Sequence, residues 1–353
     1  MFRFNELKQV HLEITNNCQA SCPMCARNIN GGSVNPLLKL TDWTLDEFKI
    51  IMNAELLTQI HGFYFCGNYG DPIINSDLLE MCRYATSIAP ECSNVIHTNG
   101  GARNTKWWKE LASVMPKNHR VVFALDGLSD THSLYRVGTK FETVIENARA
   151  FIDGGGNAEW VFIRFKHNQH QVNEAEKMSK ELGFNQFTVK NSSRFLLEPK
   201  INVVDRRGEF THIIEPASDT PMTFIDKKTI DSLNTIMDES VIDCKVQKDK
   251  EIFIDAHKML YPCCHTGAVP SLYHTQSELQ SVSKKINDQH YDMISTLGEL
   301  DTTKKSVKDI IESHEFQTAW DIYWTIKKLI ICVRTCGVSK HIDFSRPRDQ
   351  WKK

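Results

Sequence analysis

Between Val10 and Val189 the chain alternates short apolar runs with amphipathic stretches, and this alternation limits the fold more than any other feature. Six runs read as strands: Val10–Ile14, Gly62–Phe65, Asn94–His97, Val121–Leu125, Trp160–Phe165 and Phe187–Val189. The stretches between them read as helices, around Thr44–Ala54, Leu78–Ile88, Lys106–Val114, Phe141–Ile152 and Glu174–Leu182. Strands regularly separated by helices build a parallel sheet, because a parallel partner is reached only through a crossover. The periodicity leaves two α/β architectures open, a partial barrel and an open doubly wound sheet. In either, ligands gather at the carboxyl ends of the strands.

The alternation stops near Lys190, where a boundary is expected between a first domain, residues 1–190, and a second, residues 191–353. From Asn191 to Thr235 the sequence is polar and broken by Pro199, Pro216 and Pro221. Glu251–Ala256 and Lys258–Tyr261 read as a hairpin, Ser271–Lys305 as exposed helix or a flexible insertion, and Val307–Ile331 as aromatic-rich helix. A net charge of −2 gives no general attraction to nucleic acid or to an anionic membrane. No apolar run is long enough to span a bilayer, and the first residues lack the apolar core of a signal peptide, so a cytoplasmic protein is expected.

In a reducing compartment, clustered cysteines bind metal or do chemistry more often than they pair. There are eleven, an odd number, and seven fall in two groups. The first, Cys18-Gln19-Ala20-Ser21-Cys22-Pro23-Met24-Cys25, has the spacing C-x3-C-x2-C and directly follows the first strand. Thiolates are the usual ligands of iron–sulfur clusters. Three on one loop hold three irons of a cubane and leave the fourth open to a small chelating molecule. A zinc site would want a fourth ligand, and none is obvious nearby.

This triad, in this place, resembles the radical S-adenosylmethionine (SAM) superfamily. The resemblance spans roughly residues 8–190 and implies a partial (β/α)6 TIM-type barrel. It also implies a [4Fe–4S] cluster on Cys18, Cys22 and Cys25, whose open iron is chelated by SAM. Reductive cleavage of SAM would then give a 5′-deoxyadenosyl radical that abstracts hydrogen from substrate. Met24 stands where many members carry an aromatic residue against the adenine, a place its polarizable sulfur suits. Gly67-Asn68-Tyr69-Gly70-Asp71-Pro72 resembles the family's Gly-Gly-Glu-Pro segment, which binds the SAM amino group, with Asp71 a shorter reach than Glu. Thr98-Asn99-Gly100 resembles a segment beside the SAM ribose and methionine moieties. Asp126-Gly127, followed by His132 and Arg136, resembles a segment of the subgroup with extra clusters. There Arg136 would pair with the SAM carboxylate, or it forms a salt bridge on a helix. Each glycine-rich segment is also an ordinary turn sequence.

The second cysteine group is Cys244, Cys263, Cys332 and Cys336, with Cys264 next to Cys263. Four thiolates close one site, with Cys263 or Cys264 as the second. The pattern resembles the twitch domain, the shortened relative of the SPASM domain, and implies an auxiliary [4Fe–4S] cluster. The last pair is C-x3-C where the family often has C-x2-C, and a four-cysteine zinc site fits the spacing as well. Cys66, Cys82 and Cys92 read as core residues, with hydrogen donation by Cys66 the lesser alternative.

Three functions follow. The first is oxidoreductase chemistry on a small molecule, and the second is maturation of a ribosomally made peptide. With strand one starting by Val10 no leader-binding domain is expected ahead of it, which favours the first. The third is a non-catalytic iron–sulfur or zinc protein, which leaves the SAM-type motifs unexplained. Either enzyme needs a reductant such as flavodoxin or ferredoxin, and no nucleic-acid or membrane partner is expected.

Overall fold

The structure is a computed structural model that describes residues 1–192, 194–195, 200–220, 233–267 and 280–338. The chain divides into two compact units, one of Leu12–Phe224 and one of Met1–His11 with Ile225–Lys353.

In the first unit, five strands lie in sequence order and pair in parallel: β2 (Gly62–Phe65), β3 (Ser93–Thr98), β4 (Arg120–Ala124), β5 (Ala158–Arg164) and β6 (Gln186–Asn191). Leu12, the last residue of strand β1 (Gln9–Leu12), belongs to this unit, and its carbonyl accepts the Cys66 N–H at 3.0 Å. The helices are α1 (Leu45–Ile51), α2 (Ala54–Gln59), α3 (Leu78–Ile88), α4 (Thr105–Val114), α5 (His132–Tyr135), α6 (Phe141–Asp153) and α7 (Val172–Glu181). This is an α/β fold with the mostly parallel sheet of a partial TIM barrel. The helix expected over Thr44–Ala54 is two helices. Thr44 and Glu47 form a capping box on α1, and the Asn53 side chain accepts from Leu56 N–H to start α2.

The two sheet faces differ in a way that matters for function. On one, Phe65, Ile96, Val121 and Trp160 are fully buried under an aromatic layer. There Trp108 stacks 5.2 Å from Phe123, and Phe184 lies 6.0 Å from Phe123 and 5.4 Å from Trp160. On the other, the register lines up His97, Val122, Glu159 and Gln186, with Ala124, Val161 and Thr188 in the next row. Apart from buried Val122, these are only half-buried. The second face therefore carries no apolar layer like that of the first.

The polar stretch after Lys190 holds a hairpin that sequence reading missed, β7 (Ile201–Val204) with β8 (Phe210–Ile214), and it stays with the barrel unit. Its turn is built by Asp205, whose carboxylate accepts the N–H groups of Arg207 and Glu209, and by Gly208 at φ +87°.

The second unit holds α8 (Leu233–Glu239), β9 (Val241–Ile242), α9 (Lys245–Asp249), β10 (Glu251–Ile254), β11 (Leu260–Tyr261), α10 (Gln280–Thr296), α11 (Val307–Glu312), α12 (His314–Thr325), α13 (Ile330–Cys336) and β12 (Gly337–Val338). The expected hairpin is β10–β11, with Phe253 opposite Tyr261. The expected helix over Val307–Ile331 is divided at Ser313, whose side chain caps α12. The expectation for Ser271–Lys305 falls partly on 271–279, outside the described residues. Among the described residues no helix is long and apolar enough to cross a membrane.

Candidate radical site and cysteine groups

The cysteine loop follows β1 and is cinched from several sides. Asn16 donates to the Lys39 carbonyl at 2.9 Å and accepts from Thr41 N–H at 2.7 Å. Ser21 N–H donates to the Val137 carbonyl at 2.7 Å. A Cβ on Gly138 would sit 3.0 Å from the Gln19 carbonyl, so glycine lets that chain segment approach. None of the three cysteines is in a disulfide; Cys22 is buried and Cys18 and Cys25 are half-buried. Burial pushes the Cys18 thiol well up, with Asp71 and Cys22 adding to it, and burial likewise raises Cys22 against the opposing pull of Arg136. Cys18 and Cys22 are thus poor anions alone, and cationic iron would reverse that cost. Two donors are aimed at sulfur, Asn99 Nδ2 at 3.6 Å from Cys18 and Arg136 Nη1 at 3.9 Å from Cys22. The residues present fit a cubane held at three corners.

The loop after β2 lies against this one. A Cβ on Gly70 would strike the Thr15 carbonyl, and one on Gly67 would strike the Gly70 carbonyl. The Glu13 carboxylate accepts from Tyr69 N–H at 2.7 Å and Gly70 N–H at 3.1 Å. Sequence reading passed over Glu13. Its signal was a carboxylate inside an apolar strand run, which is tolerated only where donors await it.

Asp71 is 4% exposed, and its two oxygens accept four donors. Thr98 Oγ1 and Ile73 N–H reach Oδ1 at 2.8 and 3.2 Å; Asn99 N–H and Nδ2 reach Oδ2 at 2.7 and 2.6 Å. Burial raises its pKa while these donors lower it. Gln19 Nε2 closes the circuit on Asn99 Oδ1 at 2.6 Å. The structure therefore brings Cys18, Asp71, Thr98 and Asn99 into one network.

Beyond β4, Asp126 is fully buried and pairs with Arg136 Nε at 2.6 Å while accepting Ile163 N–H at 2.6 Å. Burial opposes the Arg136 charge, but Asp126 and Cys22 hold it strongly protonated. Of the two readings of Arg136, a salt bridge or a ligand contact, the ion pair is present, and its partner Asp126 lies outside its own short helix. His132 is buried on Thr139 Oγ1 at 2.9 Å and pushed down to about 3 by burial and Arg136, which makes it a neutral packing residue. Arg194, also overlooked, donates Nη1 to the Met24 carbonyl at 2.6 Å, with Ser192 Oγ 3.8 Å from the Met24 sulfur.

In the second unit Cys332 and Cys336 sit four apart on α13, and so on one helix face. Asp243 N–H donates to the Cys336 carbonyl at 2.9 Å, and Ile242 pairs with Gly337, which fixes Cys244 beside Cys336. Cys336 and burial push the Cys244 thiol up, with Cys263 adding to it; burial pushes the Cys263 and Cys332 thiols up, with Cys336 adding to both and Cys263 to Cys332. Cys263 is thus tied to the other three. Among the described residues no three His, Cys, Asp or Glu side chains have the spacing to hold a single metal ion.

Residues 12–177 match the radical SAM superfamily. The match covers β2–β5 and the loops of Cys18–Cys25, Gly67–Asp71, Thr98–Asn99 and Asp126–Arg136, but not β6, Ser192, Arg194 or the second cysteine group. Over that segment, just under half of its 353 residues, the chain is similar to radical SAM enzymes, whose cofactors are SAM and a [4Fe–4S] cluster. The fold is similar to that of anSMEcpe with bound AdoMet, at 16% identity and a TM-score of 0.53 over 94% of this chain and 86% of that one. It is also similar to SuiB from Streptococcus suis bound to precursor peptide SuiA, at 13% identity and a TM-score of 0.50 over 78% and 63%. No curated protein matches the sequence.

Proposed function

We propose that this chain is a radical SAM enzyme that oxidises a small polar molecule and carries an auxiliary [4Fe–4S] cluster on Cys244, Cys263, Cys332 and Cys336, in a domain of the twitch type. The observation that carries this reading is geometric: strand pairing sets Cys244 beside Cys336, and Cys332 lies one turn away on the same helix, on a unit separate from the Cys18 loop. A single zinc ion needs four donors converging on one point, whereas a cubane takes one thiolate at each of four corners. Bound to Cys18, Cys22 and Cys25, a [4Fe–4S] cluster would supply the one-electron reduction of SAM that initiates hydrogen abstraction from substrate. The cluster on the second unit would supply an acceptor for the second electron, which a net two-electron oxidation requires. Cys18, Cys22 and Cys25 hold the first cluster; Gly67, Gly70 and Met24 shape the SAM pocket. Asp71 orients Thr98 and Asn99, and Asp126 presents Arg136. The electron comes from a small carrier such as flavodoxin or ferredoxin.

The half-buried polar side chains of His97, Gln186 and Thr188 on the sheet face away from the aromatic layer support a small polar substrate, since they offer donors and acceptors there. Peptide maturation is the second reading, favoured by the bound peptides of the anSMEcpe and SuiB structures. The third, a non-catalytic protein, is set aside by the family match. The deciding test incubates anaerobically reconstituted enzyme with SAM, reductant and cell extract split by mass. Substrate-stimulated 5′-deoxyadenosine in the small-metabolite fraction supports oxidation of a small molecule. Stimulation confined to the peptide fraction replaces it with maturation.

A further inference from the structure

We infer that the outward face of the β7–β8 hairpin is the docking surface for the acidic electron-carrier protein that reduces the Cys18–Cys22–Cys25 cluster. The hairpin's inner face packs on the cysteine loop: Val203 and Ile214 share one core with Ala20, Cys22, Tyr135 and Phe165. Val204 N–H donates to the Asn30 carbonyl at 3.0 Å, and a Cβ on Gly32 would sit 2.6 Å from the Asp205 carbonyl. Cys22 is therefore separated from solvent on this side by a single layer of strand, and one packed β layer is roughly 10 Å thick.

The outer face is unlike the rest of the surface. Phe210 is 61% exposed and Ile213 41%, and Val34, Leu37 and Leu40, just past the cysteine loop, are exposed too. Five of the eleven large hydrophobics exposed among the described residues thus lie on these two short segments, which meet at Asn30 and Val204. Apolar exposure of that density marks an interaction site. The charge around it is basic. Lys200 and Arg206 are exposed with no partner among the described residues, and Arg207 is exposed beside them. Asp205 neutralises Arg207, so Lys200 and Arg206 stand against Glu209 and the hairpin is net positive by one charge. An apolar centre with basic flanks, one layer from the cluster ligand, fits an acidic one-electron donor. The donor would lose one electron and the cluster gain one, with no atom exchanged.

This inference rests on the radical SAM reading, and the test separates the two. Reconstituted full-length enzyme with SAM is driven either by NADPH, flavodoxin reductase and limiting flavodoxin, or by dithionite. Arg206→Glu and Phe210→Ser should each slow flavodoxin-driven 5′-deoxyadenosine formation, roughly tenfold for the charge reversal, because an interface charge acts mainly on encounter. Arg206→Lys should keep the parent rate, added salt should slow the parent toward Arg206→Glu, and dithionite rates should not change. Equal slowing with both reductants would make the hairpin a support of the cysteine loop and overturn the proposal. Parent rates with both would place the carrier elsewhere and overturn it too. So would a change from dimer to monomer at an unchanged flavodoxin rate, which would assign the face to a second copy of the chain. Failure of parent enzyme to cleave SAM with dithionite would instead strike the underlying reading.

Discussion

Replacing Asp71 by Asn tests the network that joins the cysteine loop to the strand ends. The change keeps volume and leaves Oδ1 to accept from Thr98 and Ile73. At Oδ2 it sets an NH2 group against two donors, Asn99 N–H at 2.7 Å and Asn99 Nδ2 at 2.6 Å. A buried donor left unsatisfied costs about 1–3 kcal/mol. Asn99 Nδ2 can fall back on the Cys18 sulfur at 3.6 Å, so one full penalty and part of a second apply. The expected loss is about 2–4 kcal/mol, which lowers the melting temperature of a domain this size by roughly 5–15 °C. Because Asn99 also holds Gln19 and faces Cys18, SAM should bind more weakly even where the cluster assembles. The assays are thermal denaturation of the apoprotein and anaerobic calorimetric titration of the reconstituted enzyme with SAM. An Asp71→Asn protein that melts like the parent and binds SAM equally would refute this account of the carboxylate.

Four further outcomes are expected. Alanine at Cys18, Cys22 or Cys25 should abolish 5′-deoxyadenosine formation, and near-parent activity in any of them would remove the triad from the mechanism. Reconstituted protein should hold about eight irons from two cubanes, and Cys332→Ala with Cys336→Ala should lose about half; zinc in place of that iron would make the second site structural. Arg136→Ala should destabilise by about 3–5 kcal/mol, because it strands the fully buried Asp126, whereas Arg136→Lys should fold and bind SAM weakly; an Arg136→Ala protein of parent stability in chemical denaturation would contradict the ion pair's role. Asp255, pushed up to about 7 by burial and held by His257 and Met259 N–H groups, binds its proton more tightly folded than unfolded. Stability should therefore fall as pH rises from about 4 through 7, by up to roughly 4 kcal/mol, and Asp255→Asn should flatten that slope in denaturation measured across the range.

Much of the site was legible before any coordinates. Cys18, Cys22 and Cys25 announce themselves by spacing within eight residues, and Gly67, Gly70 and Asp71 by their place after an apolar run. The strands were found within a residue or two, but not the break at Asn53, since Thr44–Ala54 carries one amphipathic pattern across it. The β7–β8 hairpin was hidden by its composition. Its outward Asn202, Arg206 and Thr211 dilute the apolar alternation, and only the Asp205–Gly208 turn marked it.

The sequence by itself determined the βα order, the two cysteine groups and the positions where glycine must stand, because each is written in residues close along the chain. Tertiary structure alone decided which partners those residues meet. Glu13 reaches Gly70 across 57 positions, Arg194 reaches Met24 across 170, and Asp71 is joined to Asn99 by adjacent parallel strands. It also tied Cys263 to Cys332 and Cys336, and laid the hairpin over Cys22. Spacing is local chemistry, whereas the burial of a carboxylate or a thiol depends on what the rest of the chain packs against it.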